Sequence, residues 1–132
     1  MTQVYNEAGK LLPVTLIYIE NEKEAEVVEG QKVTVVGRSK GKGFQGVVKR
    51  HGMGGAPRSH GHKDDLRRVG SIGSSFPEHV FRGKRMPGHM GTERVTIKHL
   101  AVVRVDKENK LIALKGALPG AAGSAITIHI EL

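Results

Sequence analysis

The sequence predicts an all-β protein: a small closed barrel of five or six short strands that holds out a long basic loop. Three observations lead there. Short runs rich in β-branched residues recur between turn signals towards both ends of the chain. No stretch carries a convincing amphipathic helical period. One internal segment, 37–91, holds all the excess positive charge, 13 of the 18 glycines and five of the seven histidines. A barrel is expected in place of an open sheet because closure removes exposed strand edges.

Taken in order, Asn6-Glu7-Ala8-Gly9 reads as a turn. Leu11 to Glu20 (LLPVTLIYIE) is the first strand, with Pro13 near its start, where a missing N–H is tolerated. Asn21 to Glu29 is an acidic patch, read as a solvated loop or a short helix. Gly30-Gln31 turns into a second strand, Lys32–Val36. Structure resumes at Glu93. From Arg94 to Asp106, Val95 and Ile97 face one way and Thr96 and Lys98 the other, until His99-Leu100 interrupts the alternation and predicts a bulge or bend. Asp106-Lys107-Glu108-Asn109 is a polar hairpin turn, and Lys110 to Lys115 is the return strand. Gly116-Ala117-Leu118-Pro119-Gly120 and Gly123-Ser124 form a Gly/Pro loop. Ala125 to Leu132 closes the series, with Ile126, Ile128, Ile130 and Leu132 on one face and Thr127, His129 and Glu131 on the other.

At 132 residues the chain reads as a single domain, its barrel body drawn from 1–36 and 92–132 and its arm from 37–91. The absence of Cys excludes disulfides and thiolate metal sites and fits a reducing compartment. No apolar run approaches the roughly 18 residues of a membrane span, and the first residues lack the apolar core of a secretory signal. A pI of about 10 points to a polyanion partner, nucleic acid ahead of anionic membrane.

The arm carries twelve Lys/Arg against three acids, a charge of +9, whereas the rest of the chain sums to −1. It has few apolar residues and no sustained period, so it is expected to bury no core of its own. Glycine allows close backbone approach and the cations supply charge, a combination suited to the packed phosphates of folded RNA. Its only aromatic residues besides histidine, Phe44, Phe76 and Phe81, are too few for a single-strand stacking platform. Phosphate contact and shape reading fit better than base readout. Gly41-Lys42-Gly43-Phe44-Gln45-Gly46 has dinucleotide-fingerprint spacing, but VVKRHGMGGAP after it is not a helix pattern. His60-Gly61-His62, with His51 and Asp64, matches no known metal spacing. Ser71, Ser74 and Ser75 near Glu78 and His79 lack a nucleophile elbow, and carboxylates are scarce, so neither cofactor nor catalysis is expected.

Several motifs then line up in order. Ser39-Lys40-Gly41-Lys42-Gly43-Phe44-Gln45-Gly46 with Val47-Val48-Lys49-Arg50, then Ser59-His60-Gly61, Gly70-Ser71-Ile72-Gly73, the run from Phe81 to Gly91 (FRGKRMPGHMG), Arg94-Val95-Thr96, Val102 to Asp106 and Lys115 to Gly120 resemble the third large-subunit ribosomal protein, the universal L-three family. The resemblance runs from about Gly30 to Ile130. It implies a six-stranded barrel of the translation-factor type. Its long loop would reach through large-subunit ribosomal RNA toward the peptidyl-transferase centre. It also implies neighbouring ribosomal proteins as partners, a cytoplasmic ribosomal location and a structural role in subunit assembly. The chain departs from the family at its opening, where only Met1-Thr2 matches a leader strand. It departs again at Asn21–Glu29, where the family carries a larger insertion, at Thr34 in place of Asp, and at His89, where some bacterial members have a methylated Gln. A short body with an open edge would pair with a second copy.

The expected phosphate contacts are Arg38, Lys40, Lys42, Lys49, Arg50, Arg58, Arg67, Arg68, Arg82, Lys84 and Arg85. Gly41, Gly43, Gly46, Gly83, Gly88 and Gly91 would permit close backbone approach, with His51, Met53, His60 and His89 toward the tip. The alternative reading is a free-standing barrel whose cationic loop binds other polyanions or acidic protein surfaces; a membrane role is disfavoured because no basic amphipathic helix is present.

Overall fold

The computed structural model describes residues 1–6, 8–20 and 27–130. Eight strands and one short helix follow in order: β1 (Thr2–Tyr5), β2 (Leu11–Tyr18), β3 (Lys32–Arg38), β4 (Gly43–Gln45), α1 (Val47–His51), β5 (Gly88–Met90), β6 (Arg94–Asp106), β7 (Leu111–Lys115) and β8 (Ile126–Ile130). The all-β class holds. The chain divides into two compact units, Met1–Lys40 with Glu93–Leu132, and Gly41–Thr92.

In the first unit six strands form one antiparallel sheet in the order β1-β2-β7-β6-β3-β8. Its core follows the period-2 patterns of the sequence. Val33 and Val35 of β3, Val102 of β6, and Ile112 and Leu114 of β7 are fully buried, and Ile17, Leu100, Ile126, Ile128 and Ile130 pack against them. The expected closed barrel is not found among the described residues: the ladder stays open, with β1 and β8 as its edges. β1 is only four residues long and mostly exposed, so it offers little with which to form a seam. Leu132, expected on one face with Ile126, Ile128 and Ile130, and residues 21–26 of the acidic patch expected over Asn21–Glu29 lie outside the described residues.

The break in alternation at His99 is a bulge. Val33 stands opposite Leu100 and Val35 opposite Ile97, so β6 spends three positions where β3 spends two. His99 takes φ 58°, a left-handed conformation uncommon for a side chain with a Cβ. A second extra residue sits at Val103, between the pairs Val102–Leu114 and Arg104–Ala113. The Glu29 carboxylate accepts the Val105 amide just beyond it, at 3.0 Å. The two irregularities let one 13-residue strand serve β3 with one half and β7 with the other.

The turns also match their residues. Gly30, at φ 82°, donates its amide to the Val102 carbonyl. Asp106 closes the β6–β7 hairpin by accepting the Asn109 amide at 3.1 Å and its side-chain amide at 2.8 Å. These Asn109 bonds, the side-chain one foremost, hold the Asp106 carboxyl below the ordinary aspartate value. In the Gly/Pro loop, Pro119 lies where a Cβ on Gly37 would stand, 2.9 Å from its Cγ. Any larger residue at Gly37 would push the loop off β3.

The second unit corrects two expectations. The sequence after Gly46 was expected not to be helical, yet Val47–His51 forms one turn of helix. Gly52 caps it in the left-handed conformation at φ 67°, with its amide on the Val48 carbonyl. Lys49, Arg50 and His51 fall in the last turn, where cations suit the helix dipole. The arm was also expected to bury no core of its own, yet Val47 is 1% exposed. A helix this short has no room for a visible period, so pattern reading could not find it.

Candidate nucleic-acid interface

The Gly41–Thr92 unit is organised by backbone pairing and by side chains that bond to backbone, not by apolar mass. β4 pairs antiparallel with β5, setting Gly43 opposite Met90, Phe44 opposite His89 and Gln45 opposite Gly88. The Lys42 amide extends the ladder to the Met90 carbonyl at 2.9 Å. Below it, Arg50 Nη1 and His51 Nε2 both donate to the Met86 carbonyl, at 2.8 and 3.0 Å. That carbonyl ties the end of α1 to the approach of β5. Gly88 makes room for the tie, since a Cβ there would stand 2.7 Å from Arg50 Nη1. Further along, the Ala56 amide reaches the Leu66 carbonyl at 3.1 Å. Gly55, at φ 71°, is the only residue type that fits beside that carbonyl, because a Cβ would run into its oxygen.

On this frame the cations point outward. Lys42, Lys49, Arg58, Arg67, Arg68, Arg82, Lys84 and Arg85 are all exposed, while Arg50 and His51 are half-buried on Met86. Arg68 pairs with Asp65 at 2.9 Å, an exposed ion pair of small energetic weight. Ten Lys/Arg stand against three acids across Gly41–Thr92, so the unit is a strong cationic surface in search of anions. Gly41, Gly43, Gly46 and Gly83 are exposed, and Gly88 and Gly91 half-buried. His60 is exposed at φ 61° in a turn with Gly61, and Met53 is half-buried. His89 Nε2 donates to Thr92 Oγ1 at 2.8 Å, and that hydroxyl donates in turn to the Gly91 carbonyl at 2.7 Å.

Arg38 and Lys40 belong to the sheet unit, both exposed. The structure adds a residue that sequence reading missed. Arg94 stands directly opposite Arg38 at the end of the β3–β6 ladder. Like charges across a ladder are destabilising in water and become favourable when an anion bridges them. The signal was the antiparallel register itself, which the separation of the two strands in sequence hid. Among the described residues no group of three or more His, Asp or Glu is placed to hold a metal, and no helix is long and apolar enough to cross a membrane.

A small antiparallel β sheet interrupted by a compact, cationic, glycine-rich insertion defines the class: a β protein built to present positive charge. The family model for Ribosomal protein L3 matches residues 15–117, and the chain belongs to that family. It is 52% identical over 101 residues to the large ribosomal subunit protein uL3 of Chlorobium limicola, covering 76% of this chain and 48% of that one. To the uL3 of Thermosipho africanus it is 43% identical over an alignment of 142 positions, covering 98% and 68%. To the uL3 of Chlorobaculum tepidum it is 46% identical over 123, covering 92% and 54%. The chain spans about half the length of most of the curated relatives it matches.

Proposed function

We propose that this chain is a structural, non-catalytic constituent of the large ribosomal subunit that binds ribosomal RNA. The observation that carries the reading is the placement of charge: ten Lys/Arg against three acids on a unit whose backbone is fixed by its own hydrogen bonds. The exposed cations named above contact phosphates, and Gly41, Gly43, Gly46 and Gly83 let backbone amides approach them. Arg38 and Arg94 hold a phosphate between them at the root of the insertion. In this reading the insertion extends toward the peptidyl-transferase centre, docks early in subunit assembly and meets neighbouring ribosomal proteins, in the cytoplasm. In this reading the six antiparallel strands correspond to those of the family's translation-factor-type barrel, left open here between β1 and β8.

The test replaces Lys40, Lys42, Arg82 and Lys84 with Ala together. Affinity for a large-subunit RNA transcript is measured against KCl concentration. Each lost phosphate contact flattens the logarithmic salt slope by about 0.7–0.9. An unchanged slope and affinity would remove the insertion from the RNA interface. The second reading, a cationic loop for any polyanion or acidic protein surface, gains support if heparin and anionic liposomes bind as well as the structured transcript.

A further inference from the structure

Every residue from Gly70 to Arg85 is exposed. Phenylalanine is ordinarily among the most buried side chains, yet none of the three in this chain enters a core. Phe44 is 77%, Phe76 80% and Phe81 65% exposed. Two of the three share this one segment, and it is not slack. The Ser71 hydroxyl donates to the Gly73 carbonyl at 2.7 Å, and the Ser74 hydroxyl donates to that of Phe76. His79 Nδ1 donates to the Pro77 carbonyl at 2.9 Å, which fixes the imidazole ring. That ring meets Phe81 edge-on, centroids 5.4 Å apart at 67°. The Lys84 amide closes a turn onto the Phe81 carbonyl at 3.2 Å. The next positions are Arg82, Lys84 and Arg85.

We propose that Phe81, braced by His79, is a stacking site for an unpaired RNA base, with Phe76 as a second ring and Arg82, Lys84 and Arg85 on the flanking phosphates. The proposal rests on RNA being the partner and names what part of it this segment takes. A held ring beside three cations matches a nucleotide, which offers a π face and a negative charge a few ångströms apart. An apolar protein patch would leave those cations unpaired. The two rings do not form the long platform that follows a single strand; they suit one or two bases splayed from a bulge or loop.

The test uses the full chain and a hairpin RNA whose bulge carries 2-aminopurine, with fluorescence anisotropy for affinity and 2-aminopurine emission for stacking. Phe81→Leu keeps the apolar volume and removes the π face. It is expected to lower affinity about 5- to 150-fold, the size of one base–aromatic stack, and to abolish the emission change. The salt slope stays as in the wild type, because no phosphate contact is lost. Phe81→Tyr retains both signals. An exposed ring leaves folding untouched, which an amide spectrum verifies. If a Phe76→Leu/Phe81→Leu double variant binds and perturbs the bulged base like the wild type, with its salt slope intact, stacking is refuted while RNA binding stands. If the wild type shows no salt-dependent RNA binding, both fall together.

Discussion

Gly55→Ala should damage the insertion far more than its single added methyl suggests. Two effects act at once. Gly55 sits at φ 71°, where an L side chain is disfavoured by about 1–2 kcal/mol. Its new Cβ would also run into the Leu66 carbonyl oxygen, which is backbone and cannot swing aside. Either the methyl is overpacked, at about 1–3 kcal/mol, or the carbonyl moves and the Ala56–Leu66 hydrogen bond is lost, at about 0.5–1.5 kcal/mol. A combined local loss of about 3 kcal/mol follows, since the overpacking and the lost bond are alternatives. Native-state hydrogen exchange at the Ala56 amide reads it directly: protection should fall by roughly a hundredfold. Gly54→Ala is the matched control. Nothing lies within 4 Å of its Cβ and its φ is not left-handed, so it should shift exchange by less than about 1 kcal/mol, in either direction. Equal behaviour of the two variants would refute the claim that the Gly55–Leu66 approach organises this part of the insertion.

Two further outcomes concern the sheet. Leu114→Ala should lower the stability of the sheet unit by about 2–5 kcal/mol in urea titration, whereas Leu16→Ala, at a position 53% exposed, should change it by less than about 1 kcal/mol. The Asp106 carboxyl should titrate below the ordinary aspartate value by NMR, with the Asn109 amide shift following the same midpoint. Because the folded value is the depressed one, the hairpin's gain is complete above the ordinary aspartate range and disappears as pH falls through the lowered value. In Asp106→Asn that pH dependence should vanish.

Much of the sheet was legible because its residues face two environments in strict turn. The β8 isoleucines, the Arg94–Lys98 alternation and the break at His99 all announce themselves through a period of two, and the structure keeps each of them. β1 was not legible, since Thr2–Tyr5 buries almost nothing and leaves no apolar signature. The insertion was legible in charge and illegible in architecture. Its order comes from single bonds between distant positions, Arg50 and His51 onto Met86 and Ala56 onto Leu66. No local pattern records such pairs. The three-residue strands β4 and β5 are too short for alternation to show, and they meet across the whole length of the unit. The exposure of Phe76 and Phe81 was equally hidden, because composition counts rings without saying which way they face.

The insertion leaves and rejoins the sheet at adjacent backbone positions, with Arg38 opposite Arg94 and the Ser39 amide on the Glu93 carbonyl at 2.9 Å. In polymer terms Gly41–Thr92 is a loop closed at its neck. Closure entropy rises only with the logarithm of loop length, about 0.6 kcal/mol for each doubling. Residues gained or lost in the exposed span from Gly70 to Arg85 therefore barely alter the free energy of the β3–β6 pairing. The same neck sets the tempo of folding, because those strands meet only after the intervening chain has been gathered, a contact of high sequence separation. Loop length can thus drift over evolutionary time at little cost to the pairing, while each added residue lengthens the search that brings the two strands together.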